Sequence, residues 1–106
     1  MKIFRHGDLV LIETKKKKQN LVKSKSNIIL EGEASNHYHR ISNGATILKS
    51  KVEPTKENNY FLGMLEVESP SKLTHEEHGT IEIPPAFYDA FVQREYDPQE
   101  ERRVID

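Results

Sequence analysis

Short apolar runs separated by turn residues recur along the chain. The run Leu9–Glu13 follows a Gly-Asp turn signal, and the run Tyr60–Glu68 ends in an alternation of apolar and acidic residues. That alternation places Leu65 and Val67 on one face of a strand. A third run lies within Tyr88–Glu95. Seven or eight such strands at regular spacing predict an all-β chain, folded as a small barrel or sandwich.

The remaining strands are predicted from turn chemistry. Asn43-Gly44 is typical of a type I′ hairpin turn, so residues 37–42 are expected to pair with 45–49. Residues 27–33 form a further apolar run, and residues 51–59 are polar and predict a loop. The alternating segment Thr80–Ile83 stops at two prolines.

One short helix is predicted at the C-terminal end. The order Asp97-Pro98-Gln99-Glu100 offers an N-cap residue, a proline at the first helical position and a glutamate placed for a capping box. We therefore expect a helix over residues 98–104.

Residues 14–26 hold six lysines and no acidic residue. Such a run repels itself and remains solvated, so we interpret it as a mobile lysine-rich loop, with Leu21-Val22 able to form a hairpin arm. Phosphate contacts are the functional alternative. The absence of interleaved aromatic residues, which would stack on bases, argues against nucleic-acid binding.

The length of 106 residues fits a single domain over 1–106, and 35% apolar residues allow one modest core. There is no cysteine, which excludes disulfides, thiolate zinc sites and a thiol nucleophile. The N-terminus does not read as a signal peptide, and no run reaches the roughly 20 apolar residues of a membrane span. These features predict a cytoplasmic protein that is not inserted in a membrane.

Charge divides the chain unevenly. Residues 1–56 hold 12 basic and 5 acidic residues, whereas residues 57–106 hold 4 basic and 12 acidic residues. Either the halves form a bipolar surface that steers a charged ligand, or their strands interleave and the charges cancel, which we favour.

Candidate chemistry lies in two histidine pairs. His37 and His39 are two residues apart and share one face if they lie on a strand. His75 and His78 are three residues apart, which requires a helical turn or a corner. Four converging imidazoles would suit a divalent transition metal such as zinc, nickel, iron or manganese. Glu76, Glu77 or Glu33 could add a carboxylate, and His6 is interpreted as incidental.

Two segments resemble cupin motifs. The stretch Gly32–His39 is similar to the first motif, a glycine followed by His-x-His, and Ile81–Tyr88 is similar to the second motif. The resemblance implies a small β-barrel with a metal inside. This chain departs from it because no glutamate follows His39 at the expected distance, and Tyr88 or Asp89 stands where the last ligand would be.

A second resemblance covers most of the chain outside the lysine-rich loop and residues 50–59. His75-Glu76-Glu77-His78, the Ile-Glu-Ile-Pro-Pro segment, Tyr88 and Gln93-Arg94-Glu95-Tyr96 resemble a family of small uncharacterised bacterial and phage proteins. It implies that both histidine segments belong to one site, and it implies no activity.

Three functions remain open. The leading hypothesis is a protein that binds a metal or a small-molecule ligand at His37, His39, His75 and His78, supported by Glu76, Glu77, Tyr88 and Arg40. The second is a non-catalytic interaction module or a homodimer (a homo-oligomer of two chains) that pairs through its oppositely charged halves. The third is a small hydrolase that uses the same histidines on phosphoesters, with Arg40 as an anion clamp.

Overall fold

The computed structural model of the chain describes residues 1–31, 37–95 and 102–103. Within them the strands are β1 (Ile3–His6), β2 (Leu9–Thr14), β3 (Leu21–Lys23), β4 (Ile28–Glu31), β5 (Tyr38–Ile41), β6 (Ala45–Ser50), β7 (Phe61–Val67), β8 (Ser71–Thr74), β9 (Ile81–Ile83), β10 (Ala86–Val92), β11 (Arg94–Glu95) and β12 (Arg102–Arg103). A 3₁₀ turn covers Lys56–Asn58. No helix in the described ranges is long and apolar enough to cross a bilayer.

Two antiparallel sheets pack face to face as a sandwich. The large sheet has the strand order β1-β2-β10-β7-β6-β3, and the small sheet has the order β4-β5-β8-β9. Strands β11 and β12 form a separate two-stranded pair. The all-β prediction is therefore confirmed, and of its two alternatives the sandwich describes the arrangement of the sheets.

The core lies between the two sheets and follows from strand alternation. In β10, Tyr88, Ala90 and Val92 are buried against the core while Phe87 and Phe91 are only half-buried. The small sheet contributes apolar residues such as Leu73 and Ile83, neither of which is exposed to solvent. One core therefore joins both sheets.

Both halves of the sequence contribute strands to the large sheet. Strands β1, β2, β3 and β6 come from residues 1–56, and β7 and β10 come from residues 57–92. The basic and acidic halves therefore interleave, as we favoured.

The Asn43-Gly44 turn does not close a hairpin. Strand β5 pairs with β4 and β8 in the small sheet, whereas β6 pairs with β7 and β3 in the large sheet. Only Gly44 of the two turn residues has a positive φ, of 107°, and a type I′ turn needs two. The predicted pairing of 37–42 with 45–49 is wrong because this turn carries the chain from one sheet to the other.

Two further predictions are changed in part. Residues 21–23 of the lysine-rich loop form β3, which pairs with β6, and the mobility of the rest stays a prediction. Arg102 and Arg103 are strand residues paired with β11, so a helix over 98–104 is wrong at those positions. The other residues of that range lie outside the described part of the chain.

Candidate functional site

All five histidines of the chain converge in one cluster. His6 ends β1, His37 and His39 lie at the start of β5, and His75 and His78 lie in the connection between β8 and β9. Ring centroids are 4.5 Å apart for His39 and His75, and 4.4 Å apart for His75 and His78. The structure thus brings the two predicted pairs together.

The two pairs meet for the reasons expected of their spacing. His37 and His39 both approach His75, at centroid distances of 5.4 and 4.5 Å, because residues two apart on a strand share a face. His75 and His78 follow β8 in a bent segment, which supplies the corner that their spacing requires. A strand over 73–78 would have pointed them to opposite faces.

His6 was not identified from the sequence, yet it lies within the cluster. Its ring centroid is 5.1 Å from that of His39 and 5.6 Å from that of His78. Only 4% of its surface is exposed. The sequence signal that could have identified His6 is the apolar residue Phe4, two positions before it. Residues two apart on a strand face the same side, and Phe4 packs against the core, so His6 also points inward. The interpretation of His6 as incidental does not fit this position.

A chain of hydrogen bonds fixes His6 and His39. Asp8 Oδ1 lies 3.1 Å from His39 Nε2, and His39 Nδ1 lies 3.0 Å from His6 Nδ1. His6 Nε2 donates to the carbonyl oxygen of Gly79 over 2.8 Å. Asp8 and His39 are fully buried, so this polar chain runs through the interior. Asp8, like His6, was not singled out from the sequence.

The number of protons available to this series of hydrogen bonds determines what can lie between His6 and His39. Three hydrogen bonds need three protons, whereas one carboxylate and two neutral imidazoles carry only two. With two protons, His6 donates to Gly79 and His39 donates to Asp8. The two Nδ1 lone pairs then face each other across 3.0 Å. Two facing lone pairs repel each other, so the gap between them is a position for a third proton or another cation.

Burial lowers the pKa of His6 below its ordinary value of 6.5. The hydrogen bond to Gly79 opposes this shift, while repulsion from His39, His78 and His75 adds to it. His6 is therefore disposed to be neutral, with its Nδ1 lone pair turned toward His39.

The carboxylates of the β8–β9 connection have different roles. Glu76 accepts hydrogen bonds from the backbone N–H of Tyr38 at 2.6 Å and from Arg40 Nη1 at 2.8 Å. These two contacts lower the pKa of Glu76, the first more than the second. Glu76 and Arg40 thus attach this connection to β5, and the guanidinium of Arg40 is engaged by Glu76.

Glu77 and His37 form the outer side of the cluster. Glu77 Oε1 lies 3.3 Å from His37 Nε2, and the Glu77 backbone N–H donates to His75 Nδ1 over 3.0 Å. His37 Nδ1 is buried and makes no hydrogen bond to the described residues. Of the two glutamates, Glu77 is the one whose carboxylate contacts a histidine.

Tyr88 occupies the core rather than the position of a ligand. Its hydroxyl donates to the carbonyl of Pro84 over 2.6 Å, and its ring packs edge-on against Phe4 at 5.8 Å. Burial raises the pKa of this hydroxyl, so it remains a neutral donor. These contacts give Tyr88 a packing role. Within the described part of the chain it makes no hydrogen bond to a histidine of the cluster, and its supporting role at the site stays a prediction.

The described residues contain no group of three or more His, Asp or Glu side chains already set as metal ligands. What they contain is two imidazole nitrogens aimed at each other, with three further rings around them. The four histidines predicted from sequence therefore share one place, and their role as ligands stays a prediction. Glu33, the third candidate carboxylate, lies outside the described residues.

Residues 5–93 match the family model described as Domain of unknown function (DUF8820). The match includes Asp8 and all five histidines. Comparisons with curated proteins and with solved structures returned no match. An uncharacterised family was expected from the sequence, whereas the cupin resemblance stays a prediction.

Proposed function

The chain belongs to the family described as Domain of unknown function (DUF8820), and we propose that it binds one divalent transition metal ion through His6 and His39. The ion takes the place of the proton between the two Nδ1 atoms. This modifies the sequence-based proposal, in which His37 and His39 were paired, by making His6 a ligand.

The observation that supports the proposal is the outer hydrogen bonding of these two rings. Metal-binding histidines almost always donate their other ring N–H to a carboxylate or a backbone carbonyl. His39 faces Asp8 in this way and His6 faces Gly79, so both rings are held with Nδ1 inward. Two nitrogens on a tetrahedral zinc ion are about 3.3 Å apart, close to the 3.0 Å between these atoms.

His78 is the best placed further ligand. Rings on one ion have centroids about 5 Å apart, given metal–nitrogen distances near 2 Å. The His78 centroid lies 5.6 Å from that of His6 and 6.2 Å from that of His39, so a shift of about 1 Å would bring it into range. His75 is less suitable in its present orientation because its Nδ1 accepts a hydrogen bond from Glu77.

The donor set favours zinc, nickel or iron over manganese among the metals considered. Neutral imidazoles suit zinc, nickel, copper and iron, whereas manganese prefers oxygen ligands. With no cysteine in the chain, the site has no thiolate to select a softer ion.

The test is metal analysis of protein prepared without a histidine tag. Growth medium and dialysis buffer contain zinc, nickel, iron and manganese in equal amounts. We expect close to one equivalent of one metal per chain, and a rise in melting temperature when that metal is added to stripped protein. No bound metal, together with an unchanged melting temperature for all four ions, would contradict the proposal.

Matched variants identify the ligands. His6→Phe keeps an aromatic ring in the buried position but removes both nitrogens, and we expect it to lose the metal. His37→Ala removes a ring at the outer side, and we expect it to keep the metal. The opposite result, with metal lost in His37→Ala and kept in His6→Phe, would support the ligand set predicted from sequence instead.

The same variants also test the two other functions, the interaction module and the hydrolase. A metal-independent interaction module would keep its partner after His6→Phe. A phosphoesterase would turn over a nucleotide or ester substrate, and would lose that activity in His6→Phe. Arg40 was proposed as an anion clamp in the hydrolase. Its guanidinium already pairs with Glu76, so this role has no support from the site geometry.

A further inference from the structure

A small polar cavity lies between two chain segments that each pass from one sheet to the other. One segment connects β3 of the large sheet to β4 of the small sheet, and the other connects β5 of the small sheet to β6 of the large sheet. The cavity has a volume of about 190 Å³. We call it the lysine–serine cavity, after the residues of its lining that matter below: Lys23, Ser24, Lys25, Ser26 and Ser42.

Main-chain hydrogen bonds attach both segments to the strands behind them. The Ser24 N–H donates to the carbonyl oxygen of Ile47 over 2.8 Å, and the Ile41 N–H donates to the carbonyl oxygen of Asn27 over 3.0 Å. Ile41 and Ile47 line the cavity and also belong to the core between the sheets. The cavity is therefore built on the packed part of the domain.

Three serine hydroxyls of the lining have their oxygen atoms held by backbone groups. Ser24 Oγ accepts a hydrogen bond from the N–H of Ser26 over 3.1 Å, and Ser26 Oγ accepts one from the N–H of Ile28 over 3.0 Å. Ser42 Oγ accepts one from the N–H of Lys72 over 2.8 Å. A hydroxyl has one O–H donor besides its lone pairs. Within the described residues none of these three hydroxyls donates, so each keeps its proton for another acceptor.

The charged residues that line this cavity are both positive. Lys23 and Lys25 contribute to the lining, and no carboxylate of the described residues does. A neighbouring cavity that also contains Lys23 differs in this respect, because Glu66 and Glu68 are part of its lining. Two ammonium groups without a facing carboxylate give the lysine–serine cavity a positive potential, which attracts an anion.

We propose that the lysine–serine cavity binds the phosphate group of a small soluble phosphomonoester. At pH 7 such a group has a charge of about −1.5 to −2 and three strong acceptor oxygens. Lys23 and Lys25 balance that charge, and the three serine hydroxyls offer donors to the oxygens. A carboxylate, with one charge and two oxygens, would satisfy fewer of these groups. This gives the phosphate contacts considered for the lysine-rich loop a defined place.

The size and lining of the cavity favour a terminal phosphate over a nucleic acid. Pockets for drug-sized ligands measure about 300–1,000 Å³. A cavity of about 190 Å³ therefore encloses the phosphate group and leaves most of a larger molecule outside. No aromatic residue of the described chain lines it, so nothing there would stack on a base.

This site is separate from the histidine cluster. Ser42 follows the last residue of β5, whereas His37 and His39 lie at the start of that strand. None of the five histidines lines the cavity. The proposal therefore does not rest on metal binding, and it is tested on protein stripped of metal.

Isothermal titration calorimetry of the untagged, stripped protein measures this binding, with inorganic phosphate and glycerol 3-phosphate as probes up to about 10 mM. We expect one ligand per chain, with a dissociation constant below about 1 mM for both probes. Lys25→Met and Ser26→Ala should each raise that constant at least about 5-fold, because each removes a hydrogen-bond donor to a charged group.

Two matched controls remove the same chemical groups outside the cavity. Ser50→Ala deletes a hydroxyl whose oxygen likewise accepts from the backbone two residues later, here the N–H of Val52 over 3.1 Å. Lys16→Met deletes an exposed lysine of the same loop that does not line the cavity. Both should bind phosphate within about 2-fold of the wild type, since solvent and salt screen a charge outside the site.

The proposal is overturned if the wild-type protein binds neither probe up to about 10 mM, or if both cavity variants bind like the wild type while folded by circular dichroism. Equal weakening by the two controls would reduce the effect to overall charge and would also overturn it. Binding that persists in the cavity variants and is lost in His6→Phe would place the phosphate at the histidine cluster instead. Binding of phosphatidic acid vesicles or a single-stranded oligonucleotide, without binding of the two soluble probes, would likewise contradict the proposal.

Discussion

The histidine cluster and the outer face of the large sheet depart from the usual distribution of residues in opposite directions. We call the apolar side chains on that outer face, Ile3, Val10, Ile12, Phe61, Phe87 and Phe91, the open patch. In the cluster, polar groups that normally face water are buried, with His39 and Asp8 fully covered. In the patch, isoleucine and phenylalanine lie on the solvent side of a sheet. Buried polar groups and exposed apolar patches are the informative exceptions in a folded chain. One strand, β1, contributes to both, with His6 on one side and Ile3 on the other.

The two regions differ in how much the stability of this small domain depends on them. The cluster is tolerable because the buried polar groups of Asp8, His39, His6 and Gly79 contact one another in series, with a proton or another cation needed between the two Nδ1 atoms. The stability of the cluster therefore depends on every member. The apolar side chains of the open patch need no polar partner. Apart from the exposed Ile3 they are half-buried, so each adds less to the stability of the monomer than a core side chain does. Substitutions should therefore cost much in the first region and little in the second.

The largest expected effect is that of His39→Phe. This change removes the imidazole that hydrogen-bonds to the fully buried Asp8 carboxyl group, and removing one partner of a buried polar group costs about 1–3 kcal/mol of unfolding free energy, or more where that group is charged. Ile12→Thr in the open patch should cost less than about 1 kcal/mol. Urea unfolding of stripped protein at concentrations that favour the monomer measures both values. Equal losses for the two variants would remove the contrast between the regions.

Acid should weaken the cluster and leave the patch unaffected. Because the pKa of His6 is lowered in the folded state, the unfolded chain binds more protons below its ordinary pKa of 6.5. Stability from this group is complete above pH 6.5 and is lost as the pH falls toward the lowered value. His6→Phe should flatten this part of the pH–stability curve, whereas Ile12→Thr should not. Metal affinity should fall over the same range because protons compete for the imidazole nitrogens.

The smallest expected effect concerns the ion pair of Lys18 and Asp89 on the outer face of the large sheet. Lys18 is about half exposed and pairs with Asp89, so Lys18→Met should reduce the unfolding free energy by about 1 kcal/mol or less. Lys17→Met, a change at the adjacent exposed lysine, provides the control and should be neutral. The difference between the two variants should shrink in 1 M salt, as measured by urea unfolding. A difference that persists in salt would indicate that the Lys18 stem contributes by packing on Phe61 rather than by charge.

Local sequence patterns were sufficient for the strands with strong apolar runs. The runs Leu9–Glu13 and Tyr60–Glu68 correspond to β2 and β7 within one residue at each end, because apolar alternation and turn residues act over a few neighbouring positions. The same patterns placed His37 and His39 on one face. They did not identify β1 as a strand, and the role of His6 was missed with it.

The sequence by itself thus determined the all-β class, most strand positions and the two histidine pairs, since each depends on residues close together in the chain. Only the tertiary structure decided that Asn43-Gly44 connects two sheets, that His6 and Asp8 join the cluster, and that apolar residues on four strands form one outer patch. Those outcomes depend on which strands pair, and His6 and His39 are 33 residues apart. Pairing over such separations is governed by burial of the whole core, and no short segment contains that information.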